Sequence, residues 1–265
     1  MAYDYAVHSD LLVCWTGKDI DAKHDPEWHT QDRSDTRRKR EVEQAYHKRL
    51  LSILKYGLWA TKPEEEPQDS PIGHVCFTEL RLSLCRQHAK RYGRLGIGVK
   101  RPFLFDRGGR PVIYYCHQFE MYDHFLRQCR EKLANDGKHL LHYFKRMNSG
   151  SALNYDLYAE SEWRMVLAGG QVDKRLAKSY GETSADFQTY LSQEDPQRQK
   201  FRYLVPLDGW LSCIIYPSFS LKARGLEDPD VRAQIRRIKT DRCRANKVEP
   251  GNWPVEMNLD LCRNF

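Results

Sequence analysis

An α+β fold is what this sequence predicts, and three observations predict it. Short β-rich apolar runs occur beside segments whose apolar residues recur at three-to-four spacing. The two kinds follow one another without the regular alternation of a doubly wound sheet, and no internal repeat is visible. The expectation is a single domain of mixed and antiparallel sheets with flanking helices. Residues 1–222 form its core, and 223–265 form a basic helical C-terminal extension of the same domain.

The elements follow in order. Leu11 to Thr16 reads as a strand, ended by Gly17-Lys18-Asp19. The basic run 33–40 opens a helix whose inner face is Val42, Tyr46, Leu50, Ile53 and Leu54, and Gly57 ends it. Residues 62–73, with three prolines and four acids, predict a surface loop. His74 to Thr78 is a short strand, followed by a helix with Leu80, Leu84, His88 and Tyr92 on one side and Gly93 as its cap. Gly96 to Val99 and Pro111 to Cys116 read as strands about a Gly108-Gly109 turn. The glycines of the first mark a place where a backbone or a ligand could come close. Residues 118–134 form an amphipathic helix through Phe119, Tyr122, Leu126, Cys129 and Leu133, closed by Asn135-Asp136-Gly137.

From Leu157 to Leu167 the pattern alternates, with Tyr158, Glu160, Glu162, Arg164 and Val166 on one face. Two more strands lie about Asp208-Gly209, and Asp228-Pro229 begins a basic helix with Val231, Ile235 and Ile238 inward.

Composition narrows the classes. The 265 residues are 40% hydrophobic and 12% aromatic, which excludes a disordered tail. Lys+Arg 43 against Asp+Glu 36 leaves +7, an excess that permits a polyanionic partner. Mean hydropathy is −0.74, and no apolar run reaches the ~18 residues of a spanning helix, so no membrane partner is expected. The N-terminus lacks the pattern of a secretory signal, which predicts a cytoplasmic address. The eight cysteines include no CxxC pair and read as buried thiols. His74, Cys76, Cys85 and His88 are ligand types at loose zinc spacing, but packing accounts for them, and no metal is expected.

Four constellations could carry chemistry. A period of two places Glu160, Glu162 and Arg164 side by side, where a carboxylate kept ionised by an arginine can accept from a sugar hydroxyl or stabilise growing positive charge. The plainer alternative is a solvated, cross-charged strand face. Thr78, His88, Tyr92 and Gly93 to Gly98 could border a flat ring; the glycines do not form GxGxxG, which argues against a Rossmann site. Trp15-Thr16-Gly17 offers an aromatic, a hydroxyl and a bare backbone at a strand end. The basic runs 33–40 and 232–247 could meet phosphates or form solvated helix faces.

Taken together, Cys76-Phe77-Thr78-Glu79, His88, Tyr92-Gly93, Gly96-Ile97-Gly98, Gly109, Pro111-Val112, Tyr114 and Glu160 to Arg164 resemble the AbiGi family of abortive-infection phage-resistance proteins. The resemblance spans roughly residues 10 to 216. It implies an antiphage role as the antitoxin-like member of a phage-exclusion pair, with a cognate toxin or antitoxin as partner and a phage trigger. The order of elements also resembles ADP-ribosyltransferases that modify nucleic acids. That likeness implies NAD as cofactor, a nucleic acid or protein as target, and an ADP-ribosyltransferase-like fold. Cys14, Trp15, Thr16 and Gly17 would lie on the adenosine side and Thr78 and Tyr92 beside the nicotinamide. Arg164 would help hold NAD, and Glu162 or Glu160 would serve as the catalytic carboxylate on the ribose, stabilising an oxocarbenium-like centre and helping deprotonate the attacking group. Cys14 departs from that pattern, standing where such proteins often carry a histidine donor. The competing expectations are a non-catalytic antitoxin or nucleic-acid-binding regulator and, last, a metal-dependent nuclease using Glu160, Glu162 and His88.

Overall fold

Leu11–Thr16 is extended, as its apolar and aromatic residues predict, and forms strand β1. The computed structural model describes residues 10–28, 36–64, 66–79, 81–116, 120–133, 135–147, 161–246 and 254–263. Glu160, with 157–159, Arg33, Leu80, Phe119 and Lys247, lies outside them. The next strands are β2 (Leu58–Thr61), β3 (Gly73–Glu79), β4 (Leu95–Lys100), β5 (Arg110–Pro111) and β6 (Ile113–Cys116). Then come β7 (Phe144–Met147), β8 (Glu162–Leu167), β9 (Lys178–Ser179), β10 (Phe201–Val205), β11 (Leu211–Tyr216) and β12 (Val255–Asn258). The helices are α1 (Lys18–His24), α2 (Thr36–Tyr56), α3 (Cys85–Tyr92), α4 (Arg101–Phe105), α5 (Glu120–Lys132) and α6 (Asn135–Lys138). They continue with α7 (Gly169–Asp173), α8 (Ala185–Ser192), α9 (Asp195–Lys200), α10 (Phe219–Glu227) and α11 (Pro229–Asn246). The class is the expected one: mostly antiparallel pairing with flanking helices. Among the described residues no helix is long and apolar enough to cross a membrane.

The chain packs as two compact units. Unit 1 holds Met1–Leu58, Glu79–Phe103 and Pro206–Phe265; unit 2 holds Trp59–Thr78 and Leu104–Val205.

In unit 1 the strand order is β12-β11-β4-β1, with only the β11–β12 pair parallel. Gly98 of β4 stands opposite Cys213 of β11, and a Cβ on Gly98 would come within 2.6 Å of the Cys213 Cβ. The close approach expected at this glycine is made by Cys213 of β11, backbone and side chain. Helix α2 buries Val42, Tyr46, Leu50, Ile53 and Leu54 as its spacing predicts, each aliphatic side chain contributing about 1.5–3 kcal/mol by leaving water. Gly57 ends the helix at φ 122, its amide bonding the Ile53 carbonyl at 2.9 Å. Asp228 caps α11, its Oδ1 accepting the amides of Asp230 at 2.8 Å and Val231 at 3.0 Å.

Part of residues 223–265 joins the sheet. β12 is a sheet strand, and Arg232 of α11 grips Glu256 of β12 at 2.8 Å, so this segment completes unit 1.

In unit 2, β3 pairs antiparallel with β8 and, at His74, with β2, while β10 pairs with β9. Phe187 of α8 packs against Trp59 and Phe201, closing an aromatic core. Two sequence expectations are redrawn here. Residues 110–116 are two strands: β5 joins β8, with the Val112 amide donating to the Glu162 carbonyl at 2.8 Å, and β6 runs parallel to β7. Residues 135–138 are helical, where a turn was expected to close α5.

Candidate functional site

The site is built on β8. Its register with β3 sets Thr78 opposite Glu162, Cys76 opposite Arg164 and His74 opposite Val166. Directly opposed residues of an antiparallel pair share a face, with Cβ atoms about 5 Å apart. Thr78 and Glu162 are each 5% exposed, so the solvated-face alternative fails at Glu162.

A buried carboxylate needs counter-charge, and Glu162 has two cations. Arg164 Nε donates to its Oε1 at 2.6 Å and Lys145 Nζ to its Oε2 at 2.7 Å. Burial by itself would raise the pKa of this carboxyl, but the charges and hydrogen bonds of Arg164 and then Lys145 outweigh it and hold the group at about 2. The clamp is anchored in turn: Arg164 NH1 reaches the His142 carbonyl at 2.5 Å, and the Glu162 amide donates to the Tyr114 hydroxyl at 3.2 Å. His142 Nε2 lies 3.1 Å from Glu66. Each carboxylate oxygen has two lone pairs and takes one of these side-chain donors, leaving one acceptor position on each oxygen.

Beside this clamp lies a cavity of about 510 Å³. Its walls include Arg127 and Arg130 of α5, Lys145 and Arg146 of β7, Arg164 of β8, and the ring of Tyr115, with no carboxylate among the lining residues. Arg110 of β5 also faces Arg164 across the ladder. Like charges opposed in this way destabilise a sheet, so this part of unit 2 concentrates positive charge.

No family model, no curated protein and no solved structure matches this chain. The site therefore stands on its own geometry.

The predicted residues divide between the two units. Thr78, Glu162 and Arg164 meet in unit 2 as described. The alternation expected to carry Glu160 beside them stops at Ser161, whose φ of 41 is left-handed and not extended; Glu160 itself lies outside the described residues. The remaining five are in unit 1, where packing already uses them. Trp15, 8% exposed, belongs to a core cluster with Cys85, Cys213, Ile215 and Cys262, and its ring stacks on His88 at 6.3 Å. Tyr92 packs on the same cluster beneath the Arg91 guanidinium. Cys14 is half-buried, and burial pushes its thiol up to about 12, which keeps it protonated. The Thr16 hydroxyl accepts from Arg49 at 3.2 Å, and Arg49 also holds Asp19 at 2.7 Å. Gly17, at φ 104, is bare because Tyr46 occupies the space beside it. These positions thus shape the β1–α1 turn and the core of unit 1.

The zinc-like set divides too: His74 and Cys76 are in unit 2, Cys85 and His88 in unit 1. Among the described residues no group of three or more His, Cys, Asp and Glu is placed to hold a metal ion. The second basic run is partly consumed by structure, since Arg232 holds Glu256 and Arg237 donates to the Leu54 carbonyl at 3.0 Å. The sequence reading missed Lys145 and the α5 arginines. The available signals were the Phe144-Lys145-Arg146-Met147 run and the i, i+3 spacing of Arg127 and Arg130.

Proposed function

We propose that this chain is an antiphage abortive-infection protein that acts as an NAD-dependent ADP-ribosyltransferase, with Glu162 as its catalytic carboxylate. The supporting observation is a single juxtaposition: an ionised, nearly buried Glu162 set opposite the hydroxyl-bearing Thr78 on one sheet face. The antiphage setting rests on the resemblance described above.

The residues fit a ribose. A carboxylate with an unused lone pair on each oxygen, next to a hydroxyl, matches the paired hydroxyls of that sugar. When bound, NAD supplies a ribosyl group whose bond to nicotinamide breaks as positive charge grows on the sugar carbon. Glu162 faces that charge as an anion at every physiological pH, held in position before the reaction by Arg164 and Lys145. A carboxylate held near 2 is a weak base, so its work is electrostatic, and the acceptor's proton goes to water rather than to Glu162. Arg164 here is a positioning residue for Glu162.

The test is transfer of label from labelled NAD to macromolecules of an infected-cell extract, followed by mass spectrometry. Wild type is expected to mark a target, and Thr78→Val to mark it more slowly. An extract left unlabelled by the folded wild-type protein overturns the transferase reading.

A further inference from the structure

We propose that the cationic cavity of unit 2 binds the phosphates of a single-stranded nucleic acid, which makes that polymer the acceptor of the proposed transfer. Calling it an acceptor rests on the transferase reading; the binding itself does not.

Five cations line about 510 Å³ without a carboxylate among them, and Arg127, Arg130 and Arg146 are exposed at the surface. Glu162 offsets one of these charges through Lys145 and Arg164, and successive phosphodiesters, with one negative charge per nucleotide, can match the rest. Arg127 and Arg130 both belong to the cavity wall from α5. They stand one helical turn apart on α5, a spacing suited to following a backbone. Tyr115 provides an aromatic wall, and base stacking on such rings is the sequence-tolerant half of single-strand recognition. Lys145 and Arg164 belong both to the cavity wall and to the Glu162 clamp, so a strand held there has its phosphates beside the proposed catalytic carboxylate.

The experiment is fluorescence anisotropy with a labelled single-stranded oligonucleotide of mixed sequence, in the absence of NAD and across a salt series. The double variant Arg127→Gln/Arg130→Gln is expected to bind at least about tenfold more weakly, and its log affinity to fall less steeply with log salt by about 0.7 per arginine. Tyr115→Ala is expected to weaken binding with the salt slope unchanged. Arg236→Gln on α11 of unit 1 removes a charge outside the cavity and is expected to change little. Equal weakening by Arg236→Gln, no salt-dependent binding, or displacement of the oligonucleotide by inorganic pyrophosphate or NAD at matched phosphate concentration overturns the proposal. Because binding is read without NAD, its loss leaves the transferase reading intact, and failed label transfer leaves the binding result intact.

Discussion

Tyr46 lies against Gly17, its hydroxyl donating to the glycine carbonyl at 3.1 Å while accepting the Arg94 amide at 3.0 Å. A Cβ on Gly17 would sit 2.2 Å from the tyrosine Cε1, and the backbone there is left-handed at φ 104. Gly17→Ala is therefore expected to cost about 2–4 kcal/mol in urea unfolding, from overpacking and an unfavourable φ together. An unchanged midpoint would mean that the space beside Gly17 is open, as a ligand-binding glycine requires.

Arg94 is the shared counter-charge of two buried acids, with Nε 2.8 Å from Asp21 and NH2 2.9 Å from Asp25. Burial already raises the pKa of Asp21 against the opposing pull of Arg94. Arg94→Met leaves both carboxylates uncompensated and is expected to cost about 3–5 kcal/mol at neutral pH. In the variant burial holds the folded-state pKa of Asp21 still further above its unfolded value, so the deficit is largest at neutral pH and shrinks as acid protonates Asp21. Urea midpoints at pH 7 and pH 4.5 check this; a deficit equal at both values contradicts it.

His88 gives a second dependence on acid. Burial first, then Arg81 and Arg91, lowers its pKa from 6.5 to about 4. Between those values the unfolded chain binds a proton that the folded chain refuses, so stability rises with pH from about 4 to 6.5. Subtracting the thermal midpoints of His88→Gln from those of wild type across this window isolates the contribution. The difference is expected to grow toward pH 6.5, and a flat difference rules out a neutral buried imidazole.

Much of this was legible before the fold was known. β1, α2, β3, β4 and α11 follow from apolar spacing, glycine stops and an aspartate cap, because each is decided by neighbours in the chain. Placing Glu162 and Arg164 on one face required only the two-residue period of a strand. What stayed hidden depends on distant residues. Nothing local says that Lys145 will neutralise Glu162, that Tyr46 will fill the space beside Gly17, or that Cys213 will face Gly98. The break at Ser161 was equally hidden, since a serine at positive φ leaves no trace in a polar–apolar alternation.

The most direct measurement is the rate of nicotinamide release from NAD by wild type and by Glu162→Gln, with single-stranded nucleic acid present and the folding of both confirmed by circular dichroism. Loss of the anion is expected to slow release by about a hundredfold or more while NAD still raises the unfolding midpoint of the variant. Equal rates from the two proteins, or no release by the folded wild type, would contradict a catalytic role for Glu162.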